Sequence, residues 1–330
     1  MTELGTTTRV VLSATAPFDL ACSLRAMRTF TPTANDQFLT GDGRVRKAFL
    51  HPTHPSQAVV TEVMARDDGE PGVAMTVHSG EPLTPAETTA VATAVTNWLG
   101  LDDARADFLA IARTDPAMAR LLPVAEGLHQ VCFPTLTEAA AYFTLTHRST
   151  AWYAAARKRR LVDELGPWAV VEGRAYTAFP TAAVVTALDE HGLLPFTGSK
   201  FRAERLLTVL SGLAELDEAA LRTAPYEEAR ATLLAVRGIG TFTAHALLLR
   251  ALGRPDAVPL ERTQFTKTAL ALYGEPAPTP ADLRRRYGPW IGWWAYTART
   301  ALGWVATPDS SDAPSPPPVP LALPLAAAAA

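Results

Sequence analysis

"RGIGTFTAHALLLRALGRPDAVPLERTQF", residues 237–265, places two glycines in a short turn, then an apolar helix, then the adjacent pair Glu261-Arg262. Upstream, Tyr226, Ala229, Leu233 and Leu234 share one helical face; downstream, Leu247, Leu248, Ala251 and Leu252 share another. The unit reads as helix, tight turn, helix. Gly238 and Gly240 permit backbone angles closed to other residues, and without side chains their N–H groups can approach a ligand closely. The second helix starts just beyond them, so its free N–H groups and positive end face the same way and suit a phosphate. A plain helix–helix turn with no ligand has the same local signature.

Outward from this unit, the chain divides by pattern. "TTTRVVLSA", "KAFLHP", "QAVVTEVMA" and "GVAMTVHS" are β-branched runs bounded by Gly, Pro or Asp, and predict strands. "FDLACSLRAMRTF" has apolar residues at helical spacing, and "TPAETTAVATAVTNWLGL" predicts a helix capped by Thr84 with Glu87 three residues on. Residues 1–100 therefore read as a sheet crossed by one or two helices. Residues 101–306 read almost entirely as short helices punctuated by Pro and Gly, and the Pro/Ala-rich segment 307–330 as a disordered tail. The fold class is α+β.

The 330 residues carry a net charge of −3, which argues against a nucleic-acid partner on its own. The charge is uneven, however: −4 over residues 1–120 and +3 over 121–306. The helical region can thus turn a local basic face toward DNA. Cys22 and Cys132 are too few for a four-cysteine metal site and suit buried thiols in a reducing compartment. With no apolar run of membrane-spanning length and no leader pattern, the expectation is a cytoplasmic protein with no membrane partner, nucleoid-associated in a bacterium.

The stretch "RGIGTFTAHALLLRALGRPDAVP" resembles the helix-hairpin-helix DNA glycosylase superfamily, in particular its 3-methyladenine DNA glycosylase II branch. "GRAYTAFPTAAVV" and "TGSKFRAERLLTVLSGL" are similar to the family's middle helices, and "YGPWIGWWAYTARTALGW" to its closing aromatic helix. The resemblance implies an antiparallel sheet domain followed by a helix-hairpin-helix bundle, double-stranded DNA as partner, and a monomer. It implies no required cofactor and no side-chain metal site, with a monovalent cation on the hairpin's backbone carbonyls as in relatives. The family's catalytic Asp stands about two residues beyond the loop proline. Anchored on Pro259 that register gives Glu261; counted without gaps from the hairpin, the 3-methyladenine branch gives Arg262.

A carboxylate at Glu261 suits the chemistry, because loss of a base builds positive charge on the sugar and an anion stabilises it. A loop ion pair between Glu261 and Arg262 is the plain alternative. Phe242 occupies the place of the lysine that bifunctional members use, so no lyase step is expected. The resemblance also assigns Arg237, Gly238, Ile239, Gly240, Thr241, Thr243, Lys200, Arg202 and Arg262 to DNA binding. Phe242, Trp293, Trp294 and Tyr296 form the expected base pocket, although aromatic residues on a last helix also suit a core. His147 and Arg148 stand where a wedge fills the gap left by a flipped base, or they are an exposed helix end. Arg299 replaces a Trp common in the branch. Arg157, Lys158, Arg159 and Arg160 read as a solvated helix face. The functional expectation is a monofunctional glycosylase for a damaged purine, alkylated purines first. A DNA-binding protein that has lost catalysis and a plain helical interaction domain are the alternatives.

Overall fold

The β-branched runs pair as the first layer of the molecule. The computed structural model describes residues 3–33, 37–40 and 42–305; the segment expected to be a disordered tail lies outside them. Strands β1 (Thr6–Ser13), β2 (Gln37–Leu39), β3 (Val45–Leu50), β4 (Ala58–Ala65) and β5 (Gly72–Ser79) form an antiparallel sheet in the order β1-β5-β4-β3-β2. Its register lines up Val10, Met75, Val63 and Val45 in one cross-strand row of apolar side chains. Asp19 caps α1 (Leu20–Thr29) by accepting the Ala21 N–H at 2.8 Å. At α2 (Pro85–Leu99) the expected capping box forms: Thr84 accepts the Glu87 N–H and the Glu87 carboxylate accepts the Thr84 N–H.

Short helices follow: α3 (Ala106–Thr114), α4 (Pro116–Ala119), α5 (Leu122–Ala125), α6 (Leu136–Leu145) and α7 (Ala151–Leu165). A two-stranded hairpin, β6 (Trp168–Val171) and β7 (Arg174–Thr177), then interrupts what the sequence led us to expect as helix. Glu172 and Gly173, both at positive φ, make its two-residue turn. The hairpin is held to the first sheet by Arg46, which pairs with Glu172 at 2.7 Å and with Glu62. Ala169, Val171 and Tyr176 pack on Ala48, Ala58 and Val60 of that sheet. The rest is helical: α8 (Ala182–Thr186), α9 (Glu190–Thr197), α10 (Lys200–Ala214), α11 (Glu218–Thr223), α12 (Tyr226–Ala235), α13 (Thr241–Arg250), α14 (Thr263–Tyr273), α15 (Pro280–Tyr287) and α16 (Ile291–Val305). No helix among the described residues is long and apolar enough to cross a membrane.

The cores cut across chain order. One joins the sheet, α1 to α5 and the last helices α14 to α16 through residues such as Met27, Trp98, Phe108, Phe265 and Trp294. The other is built from one continuous stretch, Phe133 to Leu252. Within the second, the basic run of α7 departs from the solvated face expected of it. Lys158 is fully buried and donates to Glu138 at 2.6 Å, while Arg159 and Arg160 make the expected pairs with Asp163 and Glu164. In the first core, buried Asp115 accepts from Tyr273 Oη and Tyr287 Oη, each at 2.7 Å, and from Arg286 at 2.6 Å. It thereby ties α14 and α15 to the cap of α4.

Candidate active site

The glycine turn joins α12 to α13. Gly238 has φ +94°, and a Cβ there would lie 2.8 Å from Val209 Cγ2, so both backbone and space demand glycine. Gly240 is extended (φ −99°, ψ 173°), and a Cβ there would meet nothing within 4 Å. The fold itself thus places no demand for glycine at 240. No side chain caps α13, which leaves its first N–H groups open. Ile239 is buried and pins the turn to the second core, while Arg237, Gly240 and Thr241 are exposed around it and Thr243 is half-buried. Arg205, from α10, donates to the Gly238 carbonyl, and the Ile239 N–H donates to the Val236 carbonyl at 3.0 Å. Two turn carbonyls are thus engaged, and the Arg205 guanidinium brings positive charge to the turn.

Where the two cores meet, a pocket of about 700 Å³ opens. Phe242 lies in its wall two residues after Gly240, so turn and pocket are contiguous along α13. His245, Ala246, Leu249 and Arg250 continue that wall at intervals of three, four, seven and eight, one face of the helix. From α16 come Tyr296, Arg299, Thr300 and Gly303 at the same spacing. Phe30, Tyr142, Phe143, Phe265 and Trp304 complete the aromatic lining. Trp293 and Trp294, expected here, are core residues instead. Trp294 lies two residues before Tyr296, on the inward face of α16, fully buried with its Nε1 donating to Tyr273 Oη. Trp293 stacks on Trp290 at 5.3 Å and meets Phe108 edge-on.

His245 and Arg250 were not singled out from the sequence; their spacing from Phe242 was the available signal. His245 Nδ1 is hydrogen-bonded to Tyr226 Oη at 2.7 Å, and burial lowers its pKa, which favours neutral imidazole.

The loop before α14 alternates. Val258 and Leu260 are buried as pegs, Pro259 lines the pocket, and Glu261 faces outward with 63% of its side chain exposed. Arg284 of α15 donates to Glu261 at 2.6 Å and holds its carboxyl below the usual carboxylate range. Thus neither reading of the Glu261-Arg262 neighbours as a mutual pair is realised: Glu261 binds Arg284, and the Arg262 guanidinium lies 5.5 Å from the Phe242 ring centroid. Among the described residues no Asp or Glu lines the pocket. Glu261 nevertheless stands within electrostatic reach of pocket-lining His245.

The turn between α6 and α7 carries His147 and Arg148, with Arg148 at φ +51°, a conformation uncommon for a side-chain-bearing residue. Arg202, expected to grip DNA, braces this turn: its Nε donates to the His147 carbonyl at 3.1 Å and its Nη2 to the Arg148 carbonyl at 3.0 Å. Lys200 is exposed and lies between Glu190 and Glu204, at 3.4 and 3.7 Å. Beside the turn, Phe201 packs on the His147 ring at 5.3 Å yet is 53% exposed. So α10 holds both turns, through Arg202 and Arg205.

No family model matches the chain. It is similar to a DNA-3-methyladenine glycosylase of Bacillus subtilis (strain 168), 25% identical over 202 residues that span 60% of this chain and 67% of the relative. Its fold matches a 3-methyladenine DNA-glycosylase from Archaeoglobus fulgidus at a TM-score of 0.73 and 17% identity, over 91% of this chain and 99% of the other. It also matches a Clostridium acetobutylicum 8-oxoguanine glycosylase/lyase in complex with double-stranded DNA, at a TM-score of 0.62 and 17% identity, over 92% and 98% of the two chains. The chain thus shares the fold of these DNA glycosylases and is similar in sequence to one of them.

Proposed function

We propose that the protein, as a monomer, binds double-stranded DNA, turns a damaged base into the pocket and releases it by hydrolysis without a lyase step. The observation that carries this reading is the aromatic pocket running on from the glycine turn along α13. A strand clamped by the turn delivers its nucleotide to Phe242, whose ring offers a stacking surface. Exposed Arg237, Lys200 and Arg262 supply phosphate contacts, and the strained His147-Arg148 turn, with Phe201 beside it, fills the vacated stack. No lysine lines the pocket among the described residues, which supports hydrolysis over Schiff-base chemistry.

Glu261 is the carboxylate this reading assigns to the sugar cation. Duplex phosphates compete for Arg284, and the freed carboxylate turns toward His245 and the pocket. A second reading, damage binding without chemistry, draws on the absence of any carboxylate from the described pocket wall. Single-turnover release of damaged bases from a defined duplex separates the two. The glycosylase reading expects release by wild type and at least a 100-fold slower rate in Glu261→Gln, with duplex affinity held within twofold. Unchanged release by Glu261→Gln removes the catalytic assignment. No release of any lesion leaves the binding reading. The relatives' names make alkylated purines the first class to assay.

A further inference from the structure

His245 and Tyr226 bring α12, α13 and the loop that leads to Glu261 together beside the pocket. The Tyr226 hydroxyl lies 2.7 Å from His245 Nδ1 and donates to the Ala257 carbonyl at 3.2 Å. The two rings stack, 24° between their planes and 6.1 Å between their centroids. Tyr226 has one hydroxyl proton, and burial pushes its pKa up, so the phenol keeps it. A carbonyl can only accept, so that proton serves Ala257. The contact with His245 is then made by Nδ1–H donating to Tyr226 Oη, and the neutral ring carries its free lone pair on Nε2. Nε2 has no hydrogen-bond partner among the described residues and is not sealed from solvent.

The ring lines the pocket three residues beyond Phe242. Among the described lining residues it is the one side chain whose ordinary pKa lies near neutrality; the charged ones, Arg250 and Arg299, only donate. Burial lowers the His245 pKa. Arg230 of α12 and Arg284 of α15 add to that, while Glu227 of α12 and Glu261 oppose it. The ring is therefore neutral at about pH 7 and able to accept a proton. Glu261 is suited to a different task. Arg284 holds it below the usual carboxylate range, which makes it a poor proton acceptor but a lasting negative charge.

We propose that His245 is the general base of the hydrolysis, accepting the proton of the attacking water at Nε2, and that Tyr226 is the positioning residue that holds the ring in its Nδ1–H form. The proposal rests on the glycosylase reading above and assigns the proton transfer which that reading leaves open. The glycosidic bond breaks with its electron pair on the departing base. The water oxygen bonds to C1′, and the proton it loses passes to Nε2 and from there to solvent. Nδ1 keeps its own proton throughout, so the bonds at Tyr226 are the same before and after the step. Glu261 supplies charge to the sugar cation, and His245 takes the proton.

Single-turnover release at subsaturating protein would be measured on duplexes carrying 7-methyldeoxyguanosine, deoxyinosine or 8-oxodeoxyguanosine, and the base released fastest would serve for the variants. His245→Gln should slow release roughly 100-fold near pH 7, with duplex affinity within twofold and the thermal midpoint unchanged. The ratio of wild-type to His245→Gln rates should shrink toward one as pH falls below the titration of the imidazole, because both proteins then lack a base. Glu261 titrates in both and drops out of the ratio. Tyr226→Phe keeps the ring stack and loses the hydroxyl, and should slow release by at least about threefold. Nitrogen-15 NMR should show Nδ1–H at His245 in the free wild type and a mixture of tautomers in Tyr226→Phe. Release by His245→Gln at the wild-type rate, or a rate ratio that does not change with pH, overturns the proposal and leaves the glycosylase reading standing. A wild-type ring with its proton on Nε2 overturns the proposal whatever the rates. No release of any base by wild type removes both.

Discussion

Two alanine substitutions two residues apart, at Gly238 and Gly240, test whether the glycine turn is a strand clamp. At Gly238, a side chain must accept φ +94° and a Cβ 2.8 Å from Val209 Cγ2. The left-handed backbone costs about 1–2 kcal/mol for a residue with a Cβ, and forcing a methyl into packed space adds about 1–3 kcal/mol. Gly238→Ala should therefore lower stability by roughly 2–5 kcal/mol, or on the order of 3–7 °C in Tm for a chain of this size. At Gly240 the backbone is extended and the space is open. Gly240→Ala should leave stability unchanged or raise it by up to about 1 kcal/mol, through the unfolded chain. On the clamp reading, however, the added methyl group would crowd a phosphate held by the open N–H groups of α13. Loss of one charge-assisted hydrogen bond, about 1.5–3 kcal/mol, predicts roughly 10- to 100-fold weaker duplex binding. Thermal unfolding and fluorescence anisotropy, both at one salt concentration, read the two effects separately. If Gly240→Ala binds duplex DNA as wild type does, or unfolds as early as Gly238→Ala, the clamp argument is wrong.

Arg284→Ala removes the hydrogen bond that depresses the Glu261 carboxyl, so its pKa rises and it becomes protonated at higher pH. Since the ionised form is the one assigned to catalysis and Arg284 holds it only in the free protein, the acid-side fall in single-turnover rate at subsaturating protein, which reports the free protein's titration, should move to higher pH; an unmoved limb removes Glu261 from the rate. Lys158→Met strands the buried Glu138 carboxylate and should destabilise by about 3–5 kcal/mol in denaturant unfolding, whereas Lys158→Met with Glu138→Leu should recover most of that loss. A Lys158→Met variant that loses less than about 1 kcal/mol contradicts the burial argument. Arg237→Ala should reduce the slope of log affinity against log salt by about 0.9, the release of roughly one counterion, and an unchanged slope would place Arg237 away from the phosphates.

Local chemistry decided what could be read in advance. The glycine turn, the Thr84–Glu87 capping box and the four longer strands of the first sheet are written in neighbours a few residues apart, and they stand in the structure. The hairpin β6–β7 was hidden because its stability comes from Arg46 and the face of a sheet over a hundred residues earlier. Lys158 looked solvated because its partner Glu138 lies on another helix. Trp293 and Trp294 have the residue type of a base pocket, but type does not say which way a helix faces, and only packing of α16 against Phe108 and Tyr273 decides it. Glu261 was found by register, yet its direction is set by the inward pegs Val258 and Leu260 and by Arg284, 23 residues on.

The order in which the two cores can be completed follows from their threading. The second needs only residues from Phe133 to Leu252, a continuous segment that can collapse as soon as it leaves the ribosome. The first holds the earliest strands together with the final helix, and Arg25 reaches across 279 positions to the Trp304 carbonyl. During synthesis the sheet must therefore wait with an apolar face unsealed until α16 has been made. A ribosome stalled before α16 would carry a finished hairpin unit beside an unfinished, aggregation-prone sheet.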